Sequence, residues 1–262
     1  MKEYKFDRFY YSEDESNDHY LSEIEDLSDD IFVTLYKGKM YCPLCKGPQL
    51  TLVRKEKSSF LRTYPNQRHV EVDSDMCPYE CESASKTVME RYIQELREKN
   101  KIESVLEAAL RKLLKQSPSD KVIASEKGSH TKNPLLIERI QSDKTIMKNV
   151  IPHYSFKSWG KNIPKDQLLI VYGKVYVGLK EKSMINKEGE KINQVYIHFK
   201  DIYSKKLITS CIKPLRVEIT EGEYYVAILG KCFTNKSKGY IYYNLKVNSP
   251  TRQSIVFKRC SD

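Results

Sequence analysis

Four cysteines and one histidine fall close together in this chain, and this cluster constrains the fold more than any other feature. The residues are Cys42, Cys45, His69, Cys77 and Cys81. In a reducing compartment, an odd total of seven cysteines with most of them bunched favours a metal site over a disulfide framework. The CPLC motif at residues 42–45 lets two sulfurs reach one ion from a single turn. The sequence therefore predicts a structural zinc site within residues 42–81.

The spacing leaves the fourth zinc ligand open. Cys42 and Cys45 fill two of the four coordination positions of the zinc ion. Three candidate donors remain for the other two positions, namely His69, Cys77 and Cys81. Cys77 with Cys81 would give a four-cysteine site, whereas His69 with Cys77 would give three cysteines and one histidine. The alternative to a metal site is a set of unligated cysteines in a small core. The second pair of cysteines, further along the chain, favours zinc over that alternative.

The same segment resembles the N-terminal zinc-binding segment of the competence protein CoiA family, over about residues 40–90. The resemblance rests on YCPLCKGP, then RHVEVDSDMCPYECESASK, then a predicted helix. It implies four zinc ligands and leaves Cys81 spare. The implied ligands are Cys42, Cys45, His69 and Cys77.

The chain departs from the CoiA pattern in two places. At the histidine, HVEVD stands where the family has an aromatic-rich HFxH. The family also continues into a nuclease-like domain, whose chemistry needs a carboxylate-x-lysine motif on a strand beside a second acid to hold a divalent metal. No such arrangement is found in this sequence, so we expect a zinc module without that catalytic part.

Charge is distributed unevenly along the chain. Residues 1–35 carry eleven acidic and three basic side chains, a net charge of −8, interspersed with aromatic residues and without a sustained period. Because the whole chain carries +10, the other 227 residues carry +18. This pattern predicts an acidic arm with little structure of its own and a basic body that suits nucleic acid. Solubility, or the lysine usage of a base-poor genome, is the alternative explanation of the basic charge.

Apolar residues at spacings of three and four, from Ser83 to about Gln116, predict a long amphipathic helix with Asn100 as a candidate break. The apolar stripe has to pack on another element, and a homodimer through the 83–116 helix is one possible outcome. Residues 117–164 are interpreted as a linker, with SEKGSHTKNP as its best candidate and a short helix over NPLLIERIQSDKTIMKNV.

After Pro164 the pattern changes from helical to extended. Six segments are separated by hairpin-sized turns: LLIVYGKVYVGLK, NQVYIHFKDI, KKLITSCIK, EYYVAILGKCF, GYIYYNLKV and SIVFKRC. They predict a small antiparallel barrel or sandwich over residues 165–262. The order of features resembles an oligonucleotide-binding (OB) fold, with Gly173 permitting a sharply coiled first strand. The helix usual between the third and fourth strands is missing, because KPLRVEITEGE is too short for it.

One face of the first two barrel strands mixes tyrosine with lysine. The residues predicted to point outward and bind nucleic acid are Tyr172, Lys174, Tyr176, Tyr196, His198 and Lys200. Rings that stack on bases and ammonium groups that meet phosphates are how single-stranded nucleic acid is held. The alternative is a solvated face, since tyrosine favours strands and lysine favours solvent.

The sequence therefore predicts an α+β protein with two domains. An acidic arm at 1–35 precedes a lobe of zinc-binding hairpin and helix at 36–116, and the linker at 117–164 leads to an antiparallel OB-like barrel at 165–262. We interpret the chain as a non-enzymatic protein that binds single-stranded or distorted DNA or RNA. One competing hypothesis is an adaptor or inhibitor whose acidic arm docks on a basic protein surface, and another is a nuclease with unrecognised ligands.

The expected cellular location follows from the lack of two sequence features, a membrane-spanning segment and a secretory signal. No stretch of 18 or more apolar residues is found, and the acidic first 30 residues do not read as a secretory signal. We expect a cytoplasmic protein with no membrane partner.

Overall fold

The structure is a computed structural model of the chain. It describes residues 6–56, 58–71, 76–115, 133–140, 145–185, 189–214, 217–237, 240–247 and 254–260. Within these ranges the protein is mostly β, with fifteen strands and four α-helices. The largest sheet has seven strands and curls into a half-barrel. Two compact units are formed, Met1–Tyr92 with Arg111–Pro152, and Ile93–Leu110 with His153–Asp262.

The first unit begins with two strands and two short helices, so the prediction of an acidic arm with little structure was wrong. These elements are β1 (Arg8–Tyr11), β2 (Asp14–Tyr20), α1 (Leu21–Ile24) and α2 (Asp29–Leu35). Phe6, Phe9, Ile24 and Phe32 are buried in one core with Met40. This core could not be recognised from the sequence, because the apolar side chains of the segment are spaced irregularly among acidic residues. They share one interior only in the folded structure.

Three small sheets organise the first unit. The remaining strands are β3 (Met40–Tyr41), β4 (Leu50–Lys55), β5 (Ser58–Thr63), β6 (Glu82–Ser83), β7 (Leu136–Ile140) and β8 (Ile146–Val150). Strand β1 pairs with β2 and β3, β4 pairs with β5, and β8 lies between β6 and β7.

The short helix predicted over residues 133–150 was also wrong, because β7 and β8 form an antiparallel hairpin there. Leu136 pairs with Val150, and Ile140 pairs with Ile146. Most apolar residues of this stretch are β-branched, which favours extended backbone, and β6 supplies a further strand for them to join. The linker candidate SEKGSHTKNP lies outside the described residues as far as position 132.

The long amphipathic helix is divided into α3 (Lys86–Glu98) and α4 (Ile102–Lys115). Asn100 separates them with a left-handed backbone, φ 52°, which asparagine adopts more readily than most residues. The candidate break is therefore confirmed. Near the end of α4, the carbonyl of Leu113 accepts a hydrogen bond of 3.4 Å from Nη2 of buried Arg8. No helix in the described ranges is long and apolar enough to cross a membrane.

The apolar stripe of these helices is buried within the single chain. Its buried members are Met89, Ile93, Leu96, Ile102, Leu106, Ala109, Leu110, Leu113 and Leu114. A homodimer through the 83–116 helix stays a prediction, and it would have to use other residues.

The seven-stranded sheet belongs to the second unit. Its strands are β9 (His153–Ser155), β10 (Leu168–Ile185), β11 (Lys191–Lys200), β12 (Leu207–Ile212), β13 (Gly222–Ser237), β14 (Tyr240–Val247) and β15 (Ile255–Arg259). The main path runs β12–β11–β10–β13–β14, with β15 beside β13 and β9 parallel to β10. The six strands predicted after Pro164 are all present, and they pair with one another in antiparallel fashion.

Apolar side chains at every second position of these strands form the core of the second unit. The inward side chains include Val175, Val177, Ile197, Phe199, Val226 and Ile228, all fully buried. At the two ends of the path, Thr209 Oγ1 on β12 donates a 3.0 Å hydrogen bond to the Tyr243 carbonyl on β14. Trp159 Nε1 donates to the same carbonyl at 3.0 Å. The sheet therefore curls until its first and last strands come within hydrogen-bonding distance.

Candidate metal centre and outer sheet face

Cys42, Cys45, His69 and Cys77 come together in the first unit, with one ligand atom from each lying within 4.8 Å of the others. Cys42 Sγ lies 3.9 Å from Cys77 Sγ, and Cys45 Sγ lies 3.3 Å from His69 Nδ1. A tetrahedral zinc ion with ordinary bond lengths places two sulfurs about 3.8 Å apart, and a sulfur and a nitrogen about 3.6 Å apart. The four groups therefore have the spacing that one tetrahedral metal ion needs.

Cys81 lies outside this group. Its Sγ is 3.6 Å from Met76 Sδ, and the thiol is buried. The residue follows a 3-10 turn, Pro78–Glu80, that separates it from Cys77. Of the two alternatives for the fourth ligand, the structure brings His69 to the cluster and leaves Cys81 apart.

A tight turn positions the first two sulfurs. Cys42 follows β3, and its N–H donates a 3.0 Å hydrogen bond to the Pro48 carbonyl. The Lys46 N–H donates a 3.1 Å hydrogen bond to the Cys42 carbonyl, and Lys46 has a left-handed backbone, φ 53°. The Gly47 backbone amide hydrogen-bonds the Cys45 sulfur. Such amide donors to sulfur stabilise the thiolate form that a metal ion requires.

Aromatic packing holds the other two ligands. The Tyr79 backbone amide hydrogen-bonds the Cys77 sulfur. The ring of Phe6 stacks on the Tyr79 ring, with 4.8 Å between centroids, and on the His69 ring, with 6.1 Å. Phe6, which precedes β1, therefore packs against the cluster and links the N-terminal segment to the candidate metal centre.

The three thiols do not ionise independently. Hydrogen bonds from Cys42 and Cys77 hold the pKa of Cys45 far below its ordinary value, while burial raises the pKa of Cys42. The pKa of Cys77 rises to about 12, because its contact with Cys45 and its burial outweigh the opposing hydrogen bond with Cys42. A divalent cation at this position would allow all three sulfurs to ionise.

The outer face of β10 and β11 carries five of the six predicted nucleic-acid-binding residues in partly buried positions. They are Lys174, Tyr176, Tyr196, His198 and Lys200. Tyr176 pairs with Lys200 on β11 and with Glu223 on β13. Side chains directly opposite one another on neighbouring strands share a face of the sheet. The outward direction predicted for these five residues agrees with this register.

Tyr172 is only 3 % exposed, so its predicted place on the exposed face was wrong. Strand β9 lies beside β10 at this point, and the His153 and Tyr172 rings are 6.1 Å apart. Neighbouring outer-face side chains are buried as well, namely Leu168, Ile170, Ala227 and Leu229. Alternation identifies the side of a sheet, but it does not reveal whether another layer covers that side.

Lysines surround the Tyr176 ring. Lys205 Nζ lies 4.2 Å and Lys200 Nζ lies 5.9 Å from the ring centroid, both within cation–π range. The Glu223 carboxylate lies 3.1 Å from Lys174 Nζ and 3.6 Å from Lys205 Nζ. Lys205 and Glu223 lie outside the two strands that the alternation identified. Glu223 pairs with Tyr176 across β10 and β13, and Lys205 reaches the same ring from the turn after β11.

Two groups of residues can thus support a function. The cysteine–histidine cluster can hold a metal ion, and the outer sheet face can meet anions and aromatic rings. Comparisons with protein-family models, curated proteins and solved structures find no match to this chain. Function is therefore inferred from these residues alone.

Proposed function

We propose that this protein binds single-stranded nucleic acid, DNA or RNA, on the outer face of an OB-like barrel. The observation that carries the proposal is the Tyr176 ring, half-buried on that face with the Lys205 and Lys200 ammonium groups over it. Proteins that hold single strands combine rings for base stacking with cations for phosphates. The charge of +18 outside residues 1–35 supports an anionic partner.

We also propose that the second unit is an OB-like domain and that the two compact units act as separate domains. Five strands follow one path, and its two ends meet at the hydrogen bond between Thr209 and Tyr243. A partly open five-stranded barrel of the OB type needs such an approach of its ends.

Zinc is the ion we propose for the cluster in the first unit. Three thiols and one imidazole at tetrahedral spacing are a common ligand set for structural zinc. None of the seven cysteines, all of which lie in the described ranges, forms a disulfide, which suits a reducing compartment such as the cytoplasm. When bound, the ion would supply folding free energy to the first unit, and the four side chains would hold it without an open position for chemistry.

The alternative of an adaptor whose acidic arm docks on a basic partner has less support. Phe6, Phe9 and Ile24 are buried in the core of the first unit, so the acidic segment is not a free arm. A partner would have to recognise the folded surface of this unit.

Replacing both Tyr176 and Tyr196 with alanine is expected to weaken binding of a single-stranded oligonucleotide by about 1–3 kcal/mol per ring. Both side chains are half-buried on the outer face, so the variant should stay folded by circular dichroism. Fluorescence anisotropy with a labelled oligothymidylate at several salt concentrations measures the effect, since phosphate contacts make affinity fall with salt. Tyr92→Ala, a half-buried tyrosine on α3, is the control. A folded double variant that binds like the parent would show that this face is merely solvated.

Binding is expected to tighten as the pH falls, through His198. Burial, with Lys180 and Lys200 nearby, lowers the pKa of His198 below its ordinary value of 6.5, so the free protein carries a neutral imidazole at neutral pH. A bound phosphate favours the protonated ring and raises its pKa, so binding takes up a proton at mildly acidic pH. Dissociation constants measured at about pH 7.5 and about pH 5.5 should differ more in the parent than in His198→Gln. The same pH dependence in both proteins would exclude this role of His198.

A further inference from the structure

The turn between β11 and β12, residues 201–206, holds an aromatic ring away from the protein. Tyr203 is 85 % exposed, and no large apolar side chain in the described ranges is more exposed. Burial of apolar area stabilises a fold, so a ring left in solvent contributes little to folding. Polar residues and glycine serve turns equally well. Stability of the fold therefore does not explain the exposed position of the Tyr203 ring, whereas a role in binding would.

Hydrogen bonds fix the backbone that presents the ring. Asp201 Oδ1 accepts from the Tyr203 N–H at 3.1 Å, and from the N–H and the hydroxyl of Ser204 at 2.8 Å each. The Asp201 N–H donates to the Lys206 carbonyl at 2.9 Å, and the Lys205 N–H donates to the Asp201 carbonyl at 3.0 Å. A ring carried on a preorganised turn loses less conformational entropy on binding than one on a flexible loop.

Positive charge surrounds the same turn. Lys205 Nζ reaches back to 4.2 Å from the Tyr176 centroid, so the turn adjoins the outer sheet face. Lys206 is exposed beside it. The one acid of the turn is engaged internally, because hydrogen bonds from Ser204, together with nearby Lys157, hold the pKa of the Asp201 carboxyl below its ordinary value. A ligand that reaches this turn therefore meets an open aromatic ring, Lys206 beside it, and Lys205, whose ammonium group also lies 3.6 Å from the Glu223 carboxylate.

We propose that Tyr203 stacks on a nucleobase and extends the single-strand path of the outer face across the β11–β12 turn. This inference rests on the proposed function and adds a residue to it. Lys205 and Lys206 follow Tyr203 in the same exposed turn and would supply positive charge for phosphates, while the ring itself is open to a base. An acidic peptide would use the lysines but would gain little from the exposed ring, so a nucleobase fits these residues better.

The test compares two single-stranded probes that differ only in their bases, an oligothymidylate of about 12 nucleotides and an abasic oligonucleotide of the same length. Tyr203→Ala is expected to lower affinity for oligothymidylate by roughly 5- to 150-fold. Its affinity for the abasic probe should equal that of the parent. Tyr203→Phe keeps the flat ring and should bind both probes like the parent. Thermal melting should be unchanged in both variants, since the side chain is exposed.

The outcomes separate this inference from the proposed function. If the parent binds oligothymidylate and Tyr203→Ala binds it equally well, Tyr203 has no stacking role and the proposed function stands. Equal losses for the two probes would also overturn the stacking role, because the ring would then act by holding the turn in place. A parent protein that binds neither probe would overturn the proposed function, and the role of Tyr203 with it.

Discussion

Cys42→Ser is expected to abolish zinc binding and to unfold the first unit, whereas Cys81→Ser should leave zinc binding and the folding of this unit unchanged. Cys42 is fully buried and lies 3.9 Å from Cys77 within the four-residue cluster. Structural zinc supplies roughly 10–16 kcal/mol to small zinc domains. Native domains are stable by only about 5–15 kcal/mol, so losing the ion removes a contribution as large as the whole net stability.

Metal analysis of the purified parent should find one zinc per chain, and chelation should reproduce the unfolding seen by circular dichroism in Cys42→Ser. Cys81 provides a matched control, because it is also a buried thiol in the same segment but lies outside the cluster. A parent without zinc, or a Cys42→Ser variant that keeps its zinc and its melting temperature, would contradict the prediction. Loss of zinc in Cys81→Ser would show that the ligand set is wrong.

Tyr172→Ala is expected to destabilise the second unit by about 3–5 kcal/mol, the usual cost of truncating a buried aromatic side chain. Tyr176→Ala, four residues along the same face of β10, should change stability much less because its ring is only half-buried. Urea denaturation followed by fluorescence of Trp159, the single tryptophan of the chain, measures both variants in the unit concerned. Equal unfolding midpoints for the two variants would mean that Tyr172 is not covered as the structure describes.

The parts of the fold that follow from local pattern could be predicted. From Lys174 to Lys180 the apolar residues Val175, Val177 and Leu179 fall at every second position, and this period of two identified both the strand and its core face. Asn100 could be recognised as a break because it interrupts the helical spacing and tolerates a left-handed backbone. The CPLC motif identified two of the four residues of the candidate metal centre, because both lie on one turn.

The parts that depend on long-range packing could not be predicted. The choice between His69 and Cys81 rests on where residues 69 and 81 lie relative to Cys45, and spacing along the chain does not determine this. Lys205 reaches Tyr176 from the turn after β11, a contact that no single segment of the sequence encodes. The apolar residues of the acidic N-terminal segment have no regular period, so only their common core shows that they belong to a folded unit.

The contact between Arg8 and Leu113 has a consequence for synthesis of the chain. It joins residues 105 positions apart, and contacts of such long separation slow folding because the intervening loop must close first. At ordinary rates of translation, roughly 5 to 20 seconds pass between incorporation of Arg8 and of Leu113. During that interval β1 has been made while its final partner in α4 has not. Phe6 and Phe9 can already pack with core residues that precede position 80, whereas the Leu113 carbonyl becomes available to the Arg8 side chain only when α4 is made.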